Sequence, residues 1–135
     1  MLFRSFQNAK KLLLAQIDVD GLQALETERT NGLSYSIFNL SAWFQLATLA
    51  KLQGVDLWDY PSAENARIKL AINYALPFVA GQKKWPLQQI NALQPDDFFR
   101  LLNRASLQYS SEKYAAYTEK VAFKTGNPLH DIFYR

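Results

Sequence analysis

The sequence predicts an all-α fold, and three observations carry that expectation. Apolar residues recur at spacings of three and four through several segments, which is the period of a helix with one buried face. The alternation of β-branched and polar residues that marks half-buried strands is absent. Glycine and proline stand between or at the ends of the periodic segments, Pro77 apart, and this punctuation divides the chain into about five helices. With 135 residues, 49% of them hydrophobic, the chain matches one ordinary domain with enough apolar side chains for a core.

In residues 6–17, Phe6, Ala9, Leu13 and Ile17 fall on one face, and "DVDG" ends the segment. Residues 18–32, "DVDGLQALETERTNG", hold two glycines and no sustained period. They predict a long loop ordered by its own charges, and long ordered loops often carry function. Residues 33–53 are helical again, with Leu33, Ile37, Leu40, Phe44 and Ala47 on one side and Asn31, Ser34, Ser41, Gln45 and Thr48 on another. That polar stripe is neutral, so the expectation is burial between neighbouring helices, since a solvated face usually carries Lys and Glu. Gly54 is placed to close this helix.

Pro61 and Ser62 then predict a helix start with Glu64 in its first turn. Ile68, Ala71, Tyr74, Ala75 and Phe78 mark its buried face, and Pro77 kinks or ends it. "GQKKWPLQQI" reads as a loop leading into a short segment. A proline followed by two aspartates opens the next helix at "QPDDFFRLLNRASLQY", and "SSEKYAAYTEKVAF" forms the last, stopped by "TGNP".

Composition removes several function classes. The net charge of +3 is spread without a cationic run, so nucleic acid is not an expected partner. The chain has no cysteine, which excludes disulfides, thiol catalysis and cysteine metal sites. Residues 30–50 carry no charge over the length of a membrane span, of which about 20 residues are needed, yet their hydroxyls and amides are too many for lipid. No membrane partner is expected, and "MLFRSF" lacks the features of a signal peptide. The single histidine, His130, cannot build a metal cluster and reads as a tail residue, so no metal or cofactor is expected. Asp18 with Asp20 reads as a turn, and Asp96 with Asp97 as a helix N-terminus.

Tyr35 stands one turn into the uncharged helix, with Arg29 in the loop that feeds it. A guanidinium and the positive end of a helix dipole both favour a phenolate, which suits a tyrosine acting as base and then acid. On the residues alone a second reading stands beside it, in which Tyr35 packs in the core and Arg29 pairs with Glu26 or Glu28. Trp58 and Tyr60 occupy one loop, and Trp85 lies beside Lys83 and Lys84 in another. Aromatic faces next to Lys, Gln and Asn hold sugars in many proteins, while a loop tryptophan that plugs helix ends is as common.

Taken together, "IDVDGLQALETERTNGLSYSIFNLSAWFQLATLA", "GVDLWDY" and "WPLQQI" resemble the alginate lyase family of polysaccharide lyases. Glu26, Arg29, Thr30, Tyr35, Ser36, Phe38, Asn39 and Leu40 carry the strongest part of the likeness, followed by 54–58 in order. The resemblance implies an incomplete α/α toroid of antiparallel helix pairs, and β-elimination on a uronic-acid polymer without an obligatory redox cofactor. It makes Tyr35 the base and acid, and Arg29 the group that binds the uronate carboxylate and stabilises the phenolate. Lys84, Trp85 and Gln89 are the further substrate-binding candidates, and the partner is an anionic polysaccharide met in the periplasm or outside the cell.

The chain departs from the best-described branch of that family in two places. Arg29 and Tyr35 are one residue closer together, and Ser36 stands where that branch has a histidine. The family's asparagine and histidine pair has no match before Glu26, and a complete lyase domain is about twice as long or more. Residues 1–135 are therefore expected to be a single all-α domain forming the C-terminal portion of a larger toroid, inactive alone. Two other classes stay open: a noncatalytic helical module that binds acidic polysaccharide, and a helical interaction domain.

Overall fold

The computed structural model describes residues 2–91, 93 and 95–125, and divides the chain into two compact units, residues 1–93 and 94–135. Regular structure among the described residues is helical, apart from one isolated antiparallel bridge between Asn31 and Gln89. The first unit holds α1 (Leu2–Gln16), α2 (Ala24–Thr27), α3 (Gly32–Leu52) and α4 (Arg67–Val79). The second holds α5 (Pro95–Gln108) and α6 (Glu112–Thr125).

The face expected of α1 is the buried one: Phe6, Ala9, Leu13 and Ile17 are all in the core, the last two completely. Burying a side chain of that size contributes about 2 kcal/mol. In α3 the apolar set Leu33, Ile37, Leu40, Phe44 and Ala47 is buried as its spacing requires, with Trp43 and Ala50 added beside it. Gly54, at φ +76°, ends α3. Its N–H donates to the Lys51 carbonyl (3.1 Å) and that of Val55 donates to the Ala50 carbonyl (2.9 Å), which satisfies two of the last orphan acceptors.

The neutral polar stripe of α3 is not enclosed. Gln45 and Thr48 are exposed and Asn31, Ser34 and Ser41 half-buried, and alongside them Phe38 and Leu52 are 75% and 77% exposed. Segment 88–91 meets this stripe at Asn31 and Ser34, while Gln45 and Thr48 face solvent without carrying charge.

The helix expected from Pro61 begins later, at Arg67. Ser62 does act as a cap, but of a turn: the Asn65 N–H donates to its carbonyl and hydroxyl, and the Arg67 N–H returns to the Tyr60 carbonyl. The buried face of α4 is Ile68, Ala71, Ile72, Ala75 and Leu76. Tyr74 and Phe78 are half-buried instead, turned to form an aromatic group with Trp85. Pro77 is tolerated because α4 ends two residues later, at Val79.

In the second unit Pro95 starts α5, and Asp96 and Asp97 occupy its first turn, where the helix dipole favours negative charge. The Ser111 hydroxyl accepts from the Tyr114 N–H (3.3 Å) and so caps α6. Phe98, Phe99, Leu101, Leu102 and Ala105 of α5 and Tyr114 and Thr118 of α6 are buried. His130 and the "TGNP" stop beyond its first residue lie outside the described residues.

Candidate functional site

Arg29 and Tyr35 meet. The guanidinium carbon of Arg29 lies 3.6 Å from the centroid of the Tyr35 ring, a stacked cation–π contact. Glu26 holds the same guanidinium from the side, with Nη1 to Oε2 at 3.5 Å. The Arg29 side chain remains 52% exposed, so the charge is fixed in orientation yet open to an anionic ligand. Arg29 thus pairs with Glu26 and at the same time faces Tyr35, which is half-buried rather than in the core.

The segment expected to be a long loop ordered by its charges contains the short helix α2, and this explains the fit. Glu26 belongs to α2, and the Arg29 N–H donates to the Glu26 carbonyl (3.1 Å), which brings the two side chains to the same side. The α2 backbone sits directly on the start of α3. A Cβ on Gly32 would come within 2.9 Å of the Thr27 Cα, so only glycine lets the two helices approach this closely.

The first turn of α3 is held from a distance. Asn31, its N-cap, makes no side-chain cap; its Oδ1 accepts from the Asn91 N–H instead (2.9 Å). Gln89 supplies the missing oxygen, its Oε1 accepting from the Leu33 N–H (3.1 Å) and the Ser34 N–H (3.4 Å). Its Nε2 donates to the Ser34 hydroxyl (2.7 Å) and the Asn91 carbonyl (3.0 Å). Both acceptor and both donor valences of the amide are thereby used inside the protein. Backbone bonds from the Gly32 N–H to the Gln88 carbonyl and from the Ile90 N–H to the Thr30 carbonyl, each 3.0 Å, complete the clamp.

Behind Tyr35, one and two turns along α3, a neutral network was not anticipated. Asn39 Nδ2 donates to Gln16 Oε1 (3.1 Å) and to Gln23 Oε1 (2.8 Å), and Trp43 Nε1 donates to Gln16 Oε1 (2.9 Å). Gln23, only 3% exposed, donates its Nε2 to the Ser36 carbonyl (3.0 Å). The signal available was the spacing of Tyr35, Asn39 and Trp43 at four residues each, a polar-tipped ridge distinct from the stripe through Ser34 and Ser41.

The remaining candidates stand apart from the pair. Lys84 is exposed, and no contact joins it to Arg29 or Tyr35. Trp85 packs edge-on against Phe78 (5.0 Å) and Tyr74 (6.3 Å), with its indole N–H buried and unpartnered. That is the geometry of a plug over the end of α4. Trp58 is 4% exposed and meets Phe44 edge-on at 5.0 Å, which makes it core. Asp20 accepts from the Leu22 N–H (3.0 Å) in a tight turn. The same Asp20 adds a smaller push to Tyr74, whose pKa is raised chiefly by burial. No helix among the described residues is long and apolar enough to cross a membrane.

The alginate lyase family model matches residues 1–85, a span that contains Arg29, Tyr35, Lys84 and Trp85 but neither Gln89 nor the second unit. Among solved structures, an alginate lyase from Bacteroides ovatus is 34% identical with a TM-score of 0.69, over 77% of this chain and 28% of that one. This chain thus spans well under half the length of that lyase. No curated protein matches. The likeness supports the toroid type of helical fold that the motifs imply, and the match over more than half of its residues shows that the chain belongs to the alginate lyase family.

Proposed function

We propose that the chain serves β-elimination on a uronic-acid polysaccharide of the alginate kind, with Tyr35 and Arg29 as the reacting pair. The contact between the Arg29 guanidinium and the Tyr35 ring carries this reading. A uronate carboxylate bound by the exposed side of Arg29 would lie beside the phenol, and neutralising that carboxylate makes the C5 proton easier to remove. Tyr35 takes the proton and returns one to the glycosidic oxygen as the C4–O bond breaks, leaving a C4–C5 double bond. Glu26 keeps Arg29 at the right angle. Lys84 and Trp85 belong to the same reading only as outlying contacts for a long polymer, whereas Gln89 has no hydrogen-bonding valence left for a sugar.

The chain acts in this proposal as one part of a longer toroid, working in the periplasm or outside the cell. Its coverage of 28% of the B. ovatus lyase and the exposed Phe38, Leu49 and Leu52 of α3 support that view. The test is ultraviolet absorbance of unsaturated uronate product from alginate and other uronic-acid polymers, with the chain alone and within a longer product that contains it. Tyr35→Phe is expected to lower turnover by about 10²–10⁴-fold. Unchanged turnover in that variant would remove Tyr35 from the chemistry. Retention on an alginate gel without product would favour a noncatalytic binding module, and neither retention nor product would leave an interaction domain.

A further inference from the structure

We infer that Gln89 is a positioning residue for the Arg29–Tyr35 pair, acting as a cap lent to α3 from another part of the chain. This inference rests on the reading of that pair as the reacting groups. A helix leaves its first N–H groups without partners, and the N-cap side chain normally fills one of them. Here Asn31 is turned away to Asn91, and the Gln89 oxygen takes two of those N–H groups, on Leu33 and Ser34. Tyr35 is the next residue, and its own N–H closes onto the Asn31 carbonyl at 2.9 Å. On the other side, the Ile90 N–H holds the Thr30 carbonyl, adjacent to Arg29. The segment 88–91 therefore holds residues 30–34, the interior of the seven-residue arc from Arg29 to Tyr35.

The chemistry of the cap has a further consequence. A helix N-terminus attracts anions, and a site for uronates that left this one open would offer a competing place for the carboxylate. A neutral amide oxygen occupies the N–H groups without adding negative charge near Arg29. Gln89 thereby leaves the guanidinium as the cation presented to substrate on this turn.

The test reads geometry without turnover. In the full chain, stacking over Tyr35 shifts the Arg29 side-chain proton resonances upfield, and Tyr35→Leu gives the unstacked reference. Gln89→Ala is expected to lose the upfield shift, and Gln89→Met to lose it as well, since neither side chain can accept from the Leu33 and Ser34 N–H groups. The Trp43 indole N–H resonance, set by Gln16 on the far side of the network, should stay in place in both variants. If Gln89→Ala does not fold, Gln89→Met fills similar volume without acceptor or donor and takes its place. A retained shift in the alanine or methionine variant overturns the inference. Tyr35→Phe keeps the ring and hence the shift while removing the hydroxyl, so failure of the clamp and failure of the catalytic reading give different results.

Discussion

Replacing Gly21 with alanine should damage the first unit far more than replacing Gly54. Both glycines have positive φ, +89° and +76°, a region that costs an L-residue about 1–2 kcal/mol. Around Gly54 a Cβ meets nothing within 4 Å, so Gly54→Ala measures that conformational cost alone. At Gly21 the Cβ would lie 2.1 Å from the Leu70 carbonyl oxygen and 2.5 Å from its carbon, both backbone atoms of α4. Neither can move without bending the helix, so the turn must lift away, and Gln23, two residues on, would lose its buried bonds to Asn39 and Ser36. Adding the loss of one buried hydrogen-bond network, about 1–3 kcal/mol, brings Gly21→Ala to roughly 3–4 kcal/mol, a large share of the ~5–15 kcal/mol that stabilises a domain. All three tryptophans, Trp43, Trp58 and Trp85, lie in residues 1–93, so fluorescence during urea unfolding reports this unit. With a slope of about 1.5 kcal/mol per molar, the midpoint should fall by roughly 2–2.7 M for Gly21→Ala and by about 0.7–1.3 M for Gly54→Ala. Equal shifts in the two variants would refute the steric account of the close approach.

Three other outcomes are expected. Trp85→Phe keeps a ring against Phe78 and removes the buried, unpartnered N–H, so thermal melting should change by about 1 kcal/mol or less, against about 3 kcal/mol for Trp85→Ala; equal losses would mean that the indole N–H is satisfied. Burial, and then Asp20, raise the Tyr74 pKa above its ordinary value of 10, so the folded state holds this proton where the unfolded chain releases it. Stability from Tyr74 is complete below that pH and declines as pH rises through the folded value; Tyr74→Phe should flatten the decline in unfolding midpoint, and an unchanged slope would assign it to other groups. The exposed Phe38, Leu49 and Leu52 of α3 should make the chain self-associate, and Phe38→Ser with Leu52→Lys should shift light scattering toward monomer with little change in melting, because neither side chain is in the core.

The helical period made the buried face of α1 and most of the inner side of α3 readable, because Leu13, Ile17, Leu40 and Phe44 are buried for reasons internal to their own helices. Gly54 was readable for the same reason: its conformation is a local demand of the helix end. Legibility ends where partners come from far along the chain. Local signals put the start of α4 at Ser62, which does cap, yet tertiary packing begins the helix at Arg67. Within the site, Arg29 and Tyr35 were visible through their spacing. Gln89 was visible only as a polar residue near an aromatic one, since nothing in "WPLQQI" announces a hydrogen bond to Leu33, 56 residues earlier. Gln16 and Gln23 were silent for the same reason, being neutral amides whose meaning depends on which helix faces them.

The clamp across α3 also sets an order of events during synthesis. Leu33 and Ser34 leave the ribosome long before Gln89 does, and until then their N–H groups lack the amide oxygen that holds them in the finished fold. The turn bearing Arg29 and Tyr35 is thus completed late, after α3 and α4 have both been made. A nascent chain stalled within α4 would already contain both members of the pair while lacking the strap that aligns them.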